Sequence, residues 1–274
     1  MANIINQNGQ VKLGVRSTSA YPTDADAQAF ITAAAITGAT QATAINTLVA
    51  QLKIAGIWSK MKALYPFVGG TAAQHRFNLK SPGTTNADFY LAFNGGGTHG
   101  PNGYQPNGNS YANTYLIPST SLLQNSTHIS YYSRTNTAGS GIDFGVYQTS
   151  PQSNLYAYIK YTDGKSYFRV NRSSGAAESS LLITSSSIFF MINRTDVSNE
   201  SVFVNNTKTS FGRVSTGLST NPIPFGVLSN NGTYVSYSNR ECAFASIGDG
   251  LTDAEATAFY TAVQAYQTTL GRNV

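Results

Sequence analysis

The segment 94–113, NGGGTHGPNGYQPNGNSYAN, carries the side chains best suited to contact a ligand. It is rich in glycine and asparagine and shows no strand pattern, so we expect a long loop. Loops of this length in compact domains are usually functional or mobile. Amide groups can pair with sugar hydroxyls, and aromatic rings can stack on the C–H faces of a sugar. The candidate ligand-binding residues are His99, Asn102, Tyr104, Asn107 and Tyr111.

The composition of this segment also fits two roles without a ligand. A mobile cover over one end of a folded domain would need the same glycines and amides, and so would a packing contact within an assembly. The sequence leaves these three interpretations open.

No predicted strand carries two carboxylates at a spacing that would let them act together in catalysis. The chain has 12 acidic residues, and its close groupings fall where helices are predicted to begin: Asp24 with Asp26, and Asp253 with Glu255. Asp143 and Asp163 stand alone, and hydrolysis of a glycosidic bond requires two carboxyl groups that act together. We therefore expect no catalytic residues and no enzymatic activity.

The remaining chemically versatile residues point to structure. His75, His99 and His128 are far apart and have no acidic neighbours at metal-ligand spacing, so we expect three separate strand or loop residues, without metal or cofactor. The single cysteine, Cys242, rules out an intramolecular disulfide. It lies in an apolar run, which predicts a buried thiol.

Composition narrows the class of protein. The 274 residues provide one large domain or two small ones, and charged residues make up 11% while aromatic residues make up 12%. This profile is typical of an all-β surface or assembly protein. The basic residues that give the net charge of +5 are scattered, so we expect no nucleic-acid partner. We also expect neither a signal peptide nor a membrane span.

The chain divides into three predicted regions. Residues 1–20 form an arm in which the alternation of VKLGV predicts a short strand, able to pair with its own domain or with a neighbouring subunit, unless it is simply a frayed terminus. Residues 21–70 form a helical subdomain. Its third short helix, GIWSKMKALYPFVGG, would carry Trp58 as a core anchor.

Residues 71–274 carry the predicted β-structure. Period-two alternation marks eleven runs, among them HRFNLK, FYLAFNG, STHISYYSRT, GIDFGVYQ and CAFASIG. The turns TDGK and NNGT predict hairpins. A capping arrangement at Thr252, Asp253 and Glu255 opens a closing C-terminal helix. We therefore predict a mainly β protein with two antiparallel sheets packed as a sandwich.

Three C-terminal segments carry a family resemblance: SSIFFMINRTD, SVFVNNTKTS and CAFASIGDGLTDAEATAFYTAVQAYQTTLG. Their order resembles laminin-G-like and other concanavalin-A-like jelly-roll domains. Together with GIWSKMKALYPFVGGTAAQHRFNLK and NSTHISYYSRTN, they make the whole chain similar to virion and fibre proteins of tailed bacteriophages, notably crAss-like phages. The Glu-x-Asp-x-x-Glu strand of jelly-roll glucanases has no counterpart in this sequence.

The resemblance implies a structural protein of a phage virion, made in the bacterial cytoplasm. It would act through self-association and contacts with other virion proteins, as a capsid decoration, head fibre or tail-fibre component. The alternative is a lectin-like module that binds glycans on the host surface.

Overall fold

The computed structural model describes residues 23–175 and 177–274. The predicted arm, residues 1–20, lies outside the described residues.

Helices at the start of the described chain follow their sequence signals. Helix α1 begins after Asp24, whose side chain accepts hydrogen bonds from the backbone N–H groups of Asp26 and Ala27. Helix α2 buries an apolar face that includes Leu48 and Leu52. The α-helices are α1 (Ala25–Ala33), α2 (Ala39–Ile54), α3 (Ala72–His75), α4 (Pro118–Ser121) and α5 (Asp253–Thr269).

The closing helix α5 is confirmed together with its capping box. The Thr252 hydroxyl accepts from the Glu255 N–H, and the Glu255 carboxylate accepts from the Thr252 N–H. Each of these two hydrogen bonds satisfies a backbone N–H that has no partner within the first turn of the helix.

The strands lie between Met61 and Gly248. They are β1 (Met61–Tyr65), β2 (Ala92–Asn94), β3 (Thr98–Gly100), β4 (Gly103–Gln105), β5 (Tyr111–Asn113), β6 (Thr127–Ser133), β7 (Phe144–Thr149), β8 (Gln152–Tyr158), β9 (Lys165–Arg172), β10 (Ser179–Leu182), β11 (Ile188–Arg194), β12 (Asn199–Val204), β13 (Thr207–Gly212), β14 (Pro224–Phe225), β15 (Leu228–Asn230), β16 (Thr233–Val235) and β17 (Cys242–Gly248).

Two sheets form in the described chain, and the predicted mainly β sandwich is confirmed. One sheet has the order β13-β12-β11-β6-β17-β4-β3, with β1 paired to β17. The other has the order β10-β9-β8-β7-β14-β5-β2, and the β15–β16 hairpin joins it at β7. Neighbouring strands are antiparallel except for β15 with β7. The NNGT hairpin is confirmed, because Asn231 and Gly232 adopt the positive φ angles of a two-residue turn.

Two apolar layers hold the sandwich. The first lies between the sheets and contains Phe144, Phe168 and Phe225. The second lies between the outer face of the eight-stranded sheet and helices α1, α2 and α5, and contains Leu48 and Phe259. The outer face of the nine-stranded sheet instead carries tyrosines, including Tyr147, Tyr156 and Tyr158.

Two local predictions are wrong. The third helix is absent from its predicted place, because Trp58–Lys60 forms one 3₁₀ turn and Met61–Tyr65 is strand β1. Both faces of β1 are buried, Met61 towards the helices and Tyr65 between the sheets, so its apolar run has no period-two signature. Trp58 is only half-buried at the margin of this core, with the Lys80 ammonium 4.4 Å from the ring centre.

The predicted strand HRFNLK is the other error. Thr71 caps the short helix α3, which ends at His75, by accepting a hydrogen bond from the Gln74 N–H.

The rest of HRFNLK does not form a strand because the Asn78 side chain organises a turn region. Its oxygen accepts from the N–H groups of Leu64 and Lys80, and its amide donates to the carbonyls of Lys62 and Asp88.

Candidate functional site

The segment 94–113 contains strands, so the predicted long loop without strands is wrong. Strands β3 and β4 form a hairpin at the edge of the eight-stranded sheet. Strand β5 pairs with β2 and β14 in the nine-stranded sheet. The segment therefore connects the two sheets. Each of these strands has three residues, too few for alternation to be visible in the sequence.

Tyr104 is a packing residue and not an exposed stacking platform. It is 1% exposed, and its ring lies 4.8 Å from that of Phe93 and 4.9 Å from that of His99, centre to centre. His99 is half-buried in the same ring cluster. Asn102 lies exposed in the turn between β3 and β4.

The expectation of three separate histidines is also wrong. The Nδ1 atoms of His75 and His99 lie 3.0 Å apart. The His75 Nε2 accepts a hydrogen bond from the Gly70 N–H, so the proton of the neutral ring lies on Nδ1. The His75 Nδ1–H therefore donates a hydrogen bond to the His99 Nδ1. This arrangement requires both rings to be neutral.

The free energy of unfolding should decrease as the pH is lowered, because the buried histidines resist protonation. Burial, helped by His99 and Arg272, lowers the pKa of His75 to about 3, and burial lowers the pKa of His128 to about 4. The unfolded chain takes up these protons near pH 6.5. The stabilisation is therefore complete above pH 6.5 and is lost as the pH falls towards 4, by up to about 1.4 kcal/mol per pH unit for each ring.

Urea unfolding at pH 7.0 and pH 5.0 measures this loss. The free energy of unfolding of His75→Gln should differ less between the two pH values than that of the parent chain. Equal unfolding free energies of the parent chain at both values would contradict the assignment of neutral rings.

Tyr111 is the predicted residue that the fold places on an open surface. Its neighbour Ala112 faces the core, so Tyr111 and Asn113 lie on the outer face of the nine-stranded sheet. The Tyr111 ring is 4.2 Å from that of Tyr234 and 6.3 Å from that of Tyr237. We call these three residues the tyrosine cluster.

The hydroxyls of Tyr111 and Tyr234 stay protonated in neutral solution. Burial, together with the neighbouring Tyr111, raises the pKa of Tyr234 to about 12. Burial likewise raises the pKa of Tyr111. Tyr111 and Tyr234 therefore offer neutral O–H groups to a ligand.

A polar cleft of about 270 Å³ begins at Tyr237. Its size lies just below that of pockets for drug-sized ligands, so it suits one small polar ring. Hydroxyls and amides dominate the wall. The lining residues are Asn107, Gly108, Thr137, Ala138, Gly139, Ser140, Gly141, Tyr237, Ser238, Asn239 and Arg240.

Asn107 reaches this cleft but also builds its wall. Its side-chain amide donates to the carbonyls of Gly95 and Gly96, and its side-chain oxygen accepts from the Asn109 N–H. These bonds hold the chain before β5 in place. Thr137, Ser140 and Asn239 remain exposed at the rim.

A buried ion pair supports the opposite wall. The Arg240 Nε donates to Asp143 Oδ1 over 3.0 Å. The rest of the guanidinium donates to the carbonyls of Thr135 and Thr137, at 2.6 and 3.0 Å. Arg240 thus fixes the backbone that forms the rim, and its donors are occupied.

Sequence reasoning missed Tyr234, Tyr237 and the rim residues 137–141. Both tyrosines lie in TYVSYSN, another of the eleven alternating runs, and this pattern predicts a strand without indicating a ligand contact. A search for aromatic residues among small polar residues would have identified them.

Comparison with known proteins gives fold neighbours only. No family model and no curated protein matches the chain. Domain 4 of the extracellular arabinanase AbnA of Geobacillus stearothermophilus, solved with arabinotriose, is 17% identical with a TM-score of 0.43, over 73% of this chain and 98% of that one. The CBM40 of the Ruminococcus gnavus IT-sialidase, bound to α2,3-sialyllactose, is 17% identical with a TM-score of 0.37, over 50% and 82%.

The binding domain of botulinum neurotoxin serotype D is 9% identical, with a TM-score of 0.49, over 75% of this chain and 52% of that one. Likenesses of this kind assign no binding residue to this chain.

The described residues also limit other chemistry. Among them, no group of three or more His, Cys, Asp or Glu side chains is placed to hold a metal ion. None of their helices has both the length and the apolar character of a membrane-spanning helix. Cys242 is buried, as predicted, and burial raises the pKa of its thiol.

Proposed function

We propose that this protein is a lectin-like module that binds glycans at the tyrosine cluster and the adjoining cleft. One observation carries the proposal: three partly exposed tyrosine rings adjoin a cleft lined by hydroxyls, amides and backbone groups. Rings of this kind stack on the C–H faces of a sugar, while the polar wall pairs with its hydroxyls.

The proposal is one of binding without cleavage. Asp143, beneath the cleft, already accepts hydrogen bonds from Arg240, Ser238 and the Ile159 N–H. A carboxylate engaged in this way supports structure and is poorly placed to act as an acid or nucleophile.

Removing a ring of the cluster tests the site. Tyr237→Ala should weaken glycan binding by about 1 kcal/mol, roughly fivefold in Kd, because a sugar face loses its stacking partner. Calorimetric titration with oligosaccharides that score on a glycan array measures this change. The melting temperature should change little, because Tyr237 is only partly buried.

The matched control is Tyr260→Ala on α5, a partly buried tyrosine on the helical side of the sandwich. It should leave glycan affinity unchanged. Equal affinity of Tyr237→Ala and the parent chain, or no array signal from the parent chain, would refute the proposed site.

The role in a phage particle stays a prediction. In that setting, the same cleft would attach the particle to glycans of the host surface. A Tyr237→Ala chain that binds glycans normally but fails to enter particles would instead assign this surface to a subunit contact.

A further inference from the structure

Arg76 lies at the far end of the same aromatic surface. It follows α3, and the Leu91 N–H donates to its carbonyl, which fixes its backbone. The guanidinium carbon is 4.7 Å from the centre of the Tyr90 ring. The Tyr90 ring contacts that of Tyr115 at 5.2 Å. A charged group stacked on a ring in this way is held in a fixed orientation.

The N–H donors of the Arg76 guanidinium have no acceptor in the described chain. Its Nε is buried without a hydrogen-bond acceptor. Within the described chain, its side chain makes no ion pair or hydrogen bond; the buried arginines Arg172, Arg194 and Arg240, by contrast, each contact a carboxylate. The terminal nitrogens of the guanidinium therefore keep their N–H donors for a ligand in the adjoining pocket.

An open pocket of about 460 Å³ adjoins this guanidinium. Aromatic and small side chains surround Arg76, and none of them is acidic. The other lining residues are Ala72, Ala73, Tyr90, Leu91, Ala92 and Phe93. The pocket therefore combines one positive charge with apolar walls.

Asn113 connects this pocket to the tyrosine cluster. Its side-chain oxygen accepts from the Tyr115 N–H over 2.9 Å, and its amide donates to the Tyr234 hydroxyl over 3.3 Å. Aromatic rings thus extend from Tyr90 to Tyr234 on one face of the nine-stranded sheet. A ligand longer than one sugar can contact the cleft and the arginine together.

We infer that Arg76 binds the carboxylate of an acidic sugar within the glycan that occupies the cleft. The planar guanidinium matches a carboxylate with two parallel hydrogen bonds, and the neighbouring rings contact the apolar face of the sugar. This inference rests on the proposed function, and it names the class of glycan as acidic.

Pairs of acidic and neutral ligands test the inference separately from the proposed function. The probes are oligosaccharides of alginate, pectate and hyaluronan, each compared with its carboxyl-reduced neutral form. The parent chain should bind at least one acidic probe about tenfold more tightly than its reduced form, the size expected for a charge-assisted hydrogen bond. Arg76→Gln should remove this preference and leave the affinity for the reduced form unchanged.

Two variants complete the design. Arg76→Lys should recover only part of the preference, because an ammonium cannot reproduce the two-pronged contact. Arg213→Gln removes the same charge next to β13, at an edge of the eight-stranded sheet, whereas Arg76 lies beside β2 of the nine-stranded sheet, and this substitution should change neither affinity.

The outcomes are distinct. Equal binding of acidic and reduced probes by the parent chain overturns the inference and leaves the proposed function standing. Binding of neither form also overturns the inference, whereas the proposed function falls only if the parent chain gives no signal on the glycan array. An Arg76→Gln chain that loses affinity for both forms alike, with a lower melting temperature, assigns Arg76 to folding and also overturns the inference.

Discussion

Glu200→Gln should lower the free energy of unfolding by about 3–5 kcal/mol, the range for breaking a buried ion pair. The Glu200 side chain is 0% exposed. Its Oε1 accepts from the Arg172 Nε at 2.9 Å and from the Ser179 hydroxyl at 2.7 Å. Its Oε2 accepts from the Val170 N–H at 2.8 Å and from the Arg194 guanidinium at 3.4 Å.

The geometry explains why a substitution of equal size should be so damaging. Both carboxylate oxygens face donors only, so the amide NH₂ of a glutamine would meet another donor on either side. Two arginines would also remain buried without their counter-charge. Burial already lowers the pKa of Arg172 and of Arg194, which indicates that their charges are costly to hold there.

Urea unfolding at pH 7 measures the loss, with Glu241→Gln as the matched control. Glu241 is partly exposed and pairs with Arg134 at 3.4 Å, so its substitution should cost about 1 kcal/mol or less. If Glu200→Gln were no more destabilising than Glu241→Gln, the buried cluster would not hold the sheets together.

The sequence predicts the longer strands as short runs bounded by turn residues and rich in aromatic and β-branched residues. Strands β6, β11 and β17 are buried on both faces and still show this composition, and α5 is predicted from its capping residues. Strand β1 is likewise buried on both faces, but its residues Met, Lys, Ala and Leu favour a helix, so the sequence predicts a helix there. Alternation carries no information for such a strand.

The ligand-binding role of the candidate residues stays a prediction. Of the two tyrosines among them, Tyr111 lies on the outer face of its sheet, whereas Tyr104, in an equally short strand, faces inward. A three-residue strand gives no means of telling which face its tyrosine occupies. The partners of Tyr111 lie more than a hundred residues later, at Tyr234 and Tyr237, and only the pairing of β14, β15 and β16 into the sheet brings them together.

Asp143→Asn should affect both stability and binding. Asp143 is 1% exposed; its Oδ1 accepts from Arg240 and Ser238, and its Oδ2 accepts from the Ile159 N–H at 2.7 Å. An asparagine would direct its NH₂ group at one of these donors and leave Arg240 without a counter-charge. We expect a loss of about 3–5 kcal/mol in unfolding free energy.

The effect on binding follows from the role of Arg240 in the cleft. Its guanidinium holds the carbonyls of Thr135 and Thr137, so losing its anchor should loosen the rim next to Tyr237. Glycan affinity of Asp143→Asn should therefore fall even well below its melting temperature, where the chain is folded by circular dichroism. The fall should be alike for acidic and neutral glycans, because Asp143 touches neither.

Asp163→Asn provides the matched control for this prediction. Asp163 lies exposed in the turn before β9, where it accepts from the Lys165 N–H and the Tyr167 hydroxyl. Its substitution should leave glycan affinity unchanged and should destabilise the chain much less than Asp143→Asn. Full glycan affinity in folded Asp143→Asn would show that the rim keeps its shape without the ion pair. The cleft would then depend on the wall built by Asn107, and the role assigned here to Arg240 would be wrong.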